Sequence, residues 1–483
     1  MNIAFLDEPA LEFAGNGRHI DIRFGIMEHG PLARARGTAP RRIRVGLVGS
    51  ADTIAGTLGW LNRCKNGVAA KPSRQPNLFP RFPGFTADLG FLSELVTEAQ
   101  LQRTIPRRTV QTISVIPSHS QFVVEAVNAV VEEARYLTEN TNPDVIVCAI
   151  PQEFVSRIDD GEDLPGQEGE DNAPEDGPTL IFHDLLKAKA MDLRKPIQVI
   201  RPTTYGAKSH KAKQGRRRKP RGVQDEATRA WNFHTALYYK AGGVPWRLVR
   251  DSTEPMACFV GVSFYQNLDR SAMLTSTAQV FNERGDGVII RGGKAIISRV
   301  DRAPHLEEAD AKTLLTEALK RYRSEHGHLP ARVVVHKSST YTAGELAGFR
   351  AAVDEQNVDS ADFITLQGSA TKLFRAGKYP PWRGTLLTLD DQSQVLYTRG
   401  SVEFFAAYPG MYVPVPLWVR CQQIEQAPAA LAAEILALTK MNWNSSQFDN
   451  MEPITLRAAK QVGDILKHVP PGGHLEPRYS YYM

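Results

Sequence analysis

Cysteine is scarce in this chain of 483 residues: only Cys64, Cys148, Cys258 and Cys421, far apart and forming no CxxC pair. That excludes a disulfide framework and a structural zinc site of the usual spacing, and it fits buried single thiols in a reducing compartment. Long apolar runs are missing too. No segment approaches the roughly 18 consecutive apolar residues of a membrane span. The opening MNIAFLDEPALEF carries an early acid pair instead of the apolar stretch of a secretory signal. A soluble, cytoplasmic protein with no membrane partner is expected. Net charge is also small, since 58 Lys+Arg against 53 Asp+Glu leave +5, too little by itself to announce a polyanion partner. With 42% hydrophobic and 23% charged residues, a mostly disordered chain, a collagen-like repeat and a coiled-coil rod are excluded. At roughly 100–200 residues per domain, the length predicts about two to four domains.

What the chain does contain is alternation. Residues 42–64 read as strand, turn and helix, with Ser50 and Asp52 as start signals. Residues 121–139 (QFVVEAVNAVVEEARYLTE) have the apolar spacing of an amphipathic helix, and Asp144–Ile150 is a short apolar run of the kind buried on both faces of a sheet. Helix at His183–Met191, strand at Pro196–Ile200 and helix at Gln224–Lys240 continue the pattern, which argues for a parallel sheet covered by helices. The order changes after Pro245. Met256–Phe264 reads as a buried strand, and Val288–Ile297 as two strands split by Gly292-Gly293 like a hairpin. Helix at about 307–324, strand Arg332–His336, helix Ala343–Asp354 and strand Phe363–Leu366 follow, then late helices at Pro428–Thr439 and Pro453–His468. Meandering strands followed by alternation is the order of a ribonuclease-H-type sheet. Two α/β domains are expected, residues 1–250 and 251–483.

Two charge blocks interrupt the first half. Asp159–Asp176 holds nine carboxylates among Gly and Pro and reads as a solvated loop. Lys208–Arg221 (KSHKAKQGRRRKPR) holds eight Lys/Arg and no apolar face. It is either a flexible solvated loop or a contact to a phosphate backbone, where each neutralised phosphate releases counterions. Lys211, Arg216 and Arg217 are its candidate contacts.

Three segments together resemble a known family. They are ALYYKAGGVPWRL (236–248), LTKMNWNSSQFDNMEPITLRAAKQVG (438–463) and HDLLKAKAMDLRKPIQ (183–198). The combination resembles the MID and PIWI halves of a prokaryotic Argonaute, and EPALEF…HIDIRFGI…GPL at the start resembles the short Argonautes, which lack the N-terminal and PAZ modules. The resemblance implies a Rossmann-like MID domain followed by a ribonuclease-H-like PIWI domain. It also implies that His183, Lys187, Gln198 and Lys240 form a pocket for the 5′ phosphate of a guide. Residues of this type suit the task, because a terminal phosphate needs several donors and compact positive charge. His183 and Lys187, four apart, share one helix face. The tail RYSYYM resembles the family's buried aromatic terminus, which implies Mg²⁺ held at the Met483 carboxylate beside the phosphate.

The same resemblance bears on cleavage. Two-metal hydrolysis needs several carboxylates converging on ions roughly 4 Å apart. Where slicers place aspartates, this chain has Ser263 and Ser338, and Lys337 is expected to repel Mg²⁺. Asp464 and His468 lie too late for the last ligand. A dismantled slicer is expected, with Lys372, Arg375, Lys378 and Arg383 as contacts to the nucleic-acid backbone. The function implied is recognition of single-stranded DNA by a guide RNA, coupled to an APAZ-containing effector in defence against plasmids or phage. The effector would be a sirtuin-like NADase, with a TIR NADase or a nuclease as other forms. Two further readings stay open: an active guide-dependent nuclease with substituted ligands, and a two-domain α/β protein that binds a small molecule. No dinucleotide loop or nucleophile elbow supports a different enzyme; Gly285-Asp286-Gly287 and Gly292-Gly293 read as hairpin turns.

Overall fold

The computed structural model describes all residues except 35–36, 163–179, 207–222, 250–255, 281–286, 378–379, 409–412, 448–449 and 471. Its smaller sheet is built on strand Arg42–Gly49, whose aliphatic residues are buried. The strand stops at Ser50, which accepts the amide of Thr53 and so caps helix Ala51–Lys65. Val145–Ala149, entirely buried, lies parallel to it, and Ile197–Ile200 lies parallel beyond. Short strands Glu94–Val96 and Gln102–Thr104 pair with its other side. Helix His119–Asn140 turns Phe122, Val123, Ala126, Val127 and Val130 onto this sheet. Helices Phe182–Ala190 and Glu226–Lys240 carry three of the four expected phosphate ligands. This is the predicted parallel, helix-covered layer.

The larger sheet has ten strands. At its centre Ala257–Gln266, Arg332–Lys337 and Ser360–Gly368 run parallel. Helices Glu308–His326 and Ala343–Glu355 pack on one face, and the last helix, Ile454–Leu466, packs on the other against Gly261, where a Cβ would lie 2.2 Å from the Thr455 carbonyl oxygen. The meander differs from expectation. Gly287–Ile297 is one continuous strand, and its antiparallel partner is Met273–Val280, which the apolar pattern did not reveal. Gly292 and Gly293 are mid-strand at a bulge, where the two of them face Thr275 alone: a Cβ on Gly292 would lie 2.8 Å from Thr275 Cβ on the neighbouring strand and 3.2 Å from Leu314 Cδ1 on the covering helix. Thr385–Thr388, Ser393–Leu396 and Leu417–Gln423 extend the sheet on the other side, and Asn2–Phe5 forms its margin. The first strand, Asn2–Phe5, thus belongs to the larger sheet and not to the sheet of residues 42–200. The acidic stretch also begins inside helix Gln152–Glu162, and the rest of it, from residue 163, lies outside the described residues. No described helix is long and apolar enough to cross a membrane.

The joint between the halves uses the segments that carried the resemblance. Trp246 donates its indole N–H to the Lys440 carbonyl at 3.2 Å, and Trp443 donates to the Trp246 carbonyl at 3.3 Å. Tyr239 stacks on Trp443 with centroids 4.6 Å apart. Glu8, from the N-terminal segment, pairs with Lys440 at 2.6 Å and Arg383 at 2.9 Å, all of them inside the protein. Burial alone would raise the Glu8 carboxyl pKa; the two cations win and hold it low.

Candidate nucleic-acid interface

His183, Lys187, Gln198 and Lys240 come together where the smaller sheet faces the C-terminal tail. Lys187 is 2% exposed, and its ammonium donates to the Tyr482 carbonyl at 3.0 Å. Lys240 is also buried and donates to Gln198 Oε1 at 2.5 Å. His183 Nδ1 lies 3.2 Å from Asp184 Oδ1. Chain geometry explains the convergence. Gln198 sits on a strand of the parallel sheet, Lys240 closes a helix beside it, and the one-turn spacing of His183 and Lys187 stacks both on one helix face.

The electrostatics are unusual for lysines. Burial pulls Lys187 down to about 7, with Asp184 opposing. Burial, then the charge of Lys187, holds Lys240 well below its ordinary value. Burial and Lys187 also keep His183 low, with Asp184 opposing. Two ammonium groups thus share a desolvated space, with Asp184 as the carboxylate that reaches Lys187. Such a site is under-neutralised until an anion enters.

The tail completes it. Tyr482 and Met483 are buried, Met483 at 1% exposed, and Met483 directly follows the carbonyl held by Lys187. The last helix contributes as well: Lys467 Nζ lies 4.0 Å from Asp184 Oδ2. Lys467 and Asp184 escaped the sequence reading. Asp184 had a visible signal as the neighbour of His183; Lys467 had none, because it enters from the other domain. Asp464 Oδ1 lies 3.5 Å from Lys467 Nζ, and the charges of Lys467 and Asp184 also act on His468. Among the described residues, no group of three or more His, Cys, Asp or Glu could hold a metal ion.

Ser263 and Ser338 lie elsewhere. Ser263 is buried in strand Ala257–Gln266, on the face toward the last helix. Ser338 donates its amide to the Val262 carbonyl at 3.3 Å, and its carbonyl accepts from Gln367 at 2.9 Å. Lys337 departs from expectation. Strand alternation turns it to the opposite face, where it pairs with Glu345 at 2.6 Å and donates to the Thr340 carbonyl at 2.7 Å. Burial lowers it to about 8 against the pull of Glu345. Its charge is spent inside the protein and does not face a metal position.

Of the expected backbone contacts, Lys211, Arg216, Arg217 and Lys378 lie outside the described residues. Arg375 is half-buried, its guanidinium 4.0 Å from the centroid of the Trp382 ring, and Lys372 is exposed. Arg383 sits in the interior. It is buried against Glu8, the Leu436 carbonyl at 3.1 Å and Thr439 at 2.8 Å, and acts at the joint.

No family model matches the chain, and no curated protein matches it. Solved structures do. Clostridium butyricum Argonaute bound to a guide DNA and a 19-mer target DNA is similar with TM-score 0.64 and 13% identity, over 98% of this chain and 54% of that one. Drosophila Piwi is similar with TM-score 0.60 and 14% identity, over 99% and 56%. A. aeolicus Argonaute is similar with TM-score 0.56 and 14% identity, over 98% and 54%. The chain spans about half the length of these proteins. What the likeness establishes is the fold: a Rossmann-like MID sheet joined to a ribonuclease-H-like PIWI sheet, the architecture of Argonaute and Piwi proteins.

Proposed function

We propose that this chain holds a guide RNA by its 5′ phosphate and uses it to recognise complementary single-stranded DNA without cutting the DNA itself. The observation that carries the reading is the pair of buried lysines, Lys187 and Lys240, with depressed pKa values around one desolvated space. An anion with several oxygens restores both charges, and His183 and Gln198 supply further polar contacts. Mg²⁺, held by the Met483 carboxylate and the phosphate, would offset the repulsion between those two anions. The guide DNA and target DNA in the similar Clostridium butyricum structure support the ligand class.

The absence of cutting rests on Ser263 and Ser338, neutral hydroxyls that cannot supply the anionic ligands of two-metal chemistry. A guided module of this kind needs a second polypeptide to produce an output, and an APAZ-containing effector, a sirtuin-like NADase in the first instance, fits that need in prokaryotic defence. Recognition would then shift the effector only through differential binding to its two states. The test is to purify the chain, sequence its co-purified nucleic acid, and compare binding of 5′-phosphorylated and 5′-hydroxyl guides. Equal affinity for the two guides sinks the pocket assignment; cutting at one fixed guide position sinks the inactive reading.

A further inference from the structure

Among the described residues, strand Asn2–Phe5 is the outermost strand of the larger sheet and pairs on one side only, with Thr385–Thr388. Leu6 donates its amide to the Gly384 carbonyl at 2.9 Å. Strand alternation then turns the N–H and C=O groups of Asn2 and Ala4 inward and those of Ile3 and Phe5 outward. Proteins ordinarily blunt such an edge with a charge, a proline or a bulge. Residues 1–6 read MNIAFL and contain neither a charged side chain nor a proline.

The side chains at this margin are also unprotected. Ile3 and Phe5 share one face and are 51% and 66% exposed. The register continues that face inward from Ile3 to Leu387, Val395 and Trp418. Leu373 packs over Leu387 and Val395, yet its neighbour Phe374 is 75% exposed and Trp418 is 36% exposed. An open backbone edge and an apolar patch therefore coincide.

We infer that this margin is a docking edge for a partner polypeptide, which adds a β-strand beside Asn2–Phe5 and covers Ile3, Phe5 and Phe374. The inference rests on the proposed effector partner and says where that partner binds. Outward N–H and C=O groups at strand spacing are matched by another peptide backbone. A nucleic-acid backbone would call for cations, and residues 1–6 carry no Lys or Arg. The exposed apolar side chains of Ile3 and Phe5, set along an open backbone edge, suit a peptide strand laid beside them.

The experiment co-expresses the chain with the polypeptide encoded beside it, purifies through that polypeptide, and follows single-amide hydrogen exchange. Phe5→Pro deletes an outward donor while sparing the inward ladder, as proline is tolerated where an edge N–H faces solvent. Ile3→Asp charges the same edge. Both should reduce co-purification at least tenfold with guide binding unchanged. In the wild-type complex the amides of Ile3 and Phe5 should exchange slowly, in the free chain fast, and that of Ala4 slowly in both. A complex in which Ile3 and Phe5 exchange as in the free chain, and which both variants still form, overturns the docking edge and leaves the effector reading standing. The same protection in the chain alone, rising with its concentration, makes a second copy the occupant and also overturns it. If nothing co-purifies with the wild type, the effector reading and the edge fall together.

Discussion

Replacing Lys187 by methionine should make the guide-free protein more stable and the guide-binding protein worse. Lys187 falls from 10.5 to about 7 on folding because it is buried. A lysine depressed in this way destabilises the fold fully below its folded pKa, and the penalty fades as pH rises toward the unfolded value. The fall corresponds to about 4 kcal/mol at pH 7 and about 2 kcal/mol at pH 9. Methionine keeps much of the shape and removes the charge. The variant loses the bond to the Tyr482 carbonyl, and an unsatisfied buried acceptor costs about 1–3 kcal/mol. A net gain of roughly 1–3 kcal/mol remains near pH 7, and it should shrink toward pH 9. Loss of the charged contact should meanwhile weaken 5′-phosphorylated guide by about 1.5–3 kcal/mol, roughly ten- to a hundredfold, and spare a hydroxyl-ended guide. Denaturation of guide-free protein at pH 6 and pH 9, paired with affinities for both guide ends, reads the two effects separately. A variant less stable than wild type at pH 6, or one that weakens both guides equally, would refute the charge reasoning.

The remaining predictions use the same geometry. Phosphate binding should raise the Lys187 pKa and take up a proton, so preference for a 5′ phosphate should fall above pH 7, by at most about tenfold per pH unit; a preference unchanged from pH 7 to pH 9 speaks against Lys187 as a ligand. Wild-type protein loaded with guide should leave labelled target intact with Mg²⁺ or Mn²⁺, and Ser263→Asp alone should not restore cutting, because one carboxylate leaves the second ion without its ligand. Arg383→Ala should destabilise the fold by about 1–3 kcal/mol, because the Leu436 carbonyl and Thr439 lose this buried donor and Glu8 is left with Lys440 alone, whereas exposed Lys372→Ala should stay within about 0.5 kcal/mol; denaturant midpoints distinguish them.

Elements with strong local patterns were legible in the chain. Helix His119–Asn140 announces itself by apolar spacing, Ser50 by its capping position, and Val145–Ala149 by an unbroken apolar run. Met273–Val280 was not legible, because MLTSTAQV buries Thr275, Ser276 and Thr277 instead of aliphatic residues. Its burial is stabilised by a long-range bond, Ser276 Oγ to the Ala459 carbonyl at 2.8 Å, that no local window contains. Thr385–Thr388 and Ser393–Leu396 are four residues each, too short for a period to register. The hairpin expected at Gly292-Gly293 misread glycines that stand at a bulge within one strand.

For the site, the sequence by itself determined which residue types were present at which spacings: His183 and Lys187 one helical turn apart, Gln198 on a strand, Lys240 at a helix end, and serines at 263 and 338. Only the tertiary structure decided their electrostatic state. Whether a lysine is a solvated surface charge or a desolvated buried one depends on what packs around it, and here Tyr482 and Lys467 close the space from hundreds of residues away. The same holds for Lys337, whose strand position was visible but whose face and partner Glu345 were not, because charge is local in sequence and dielectric surroundings are not.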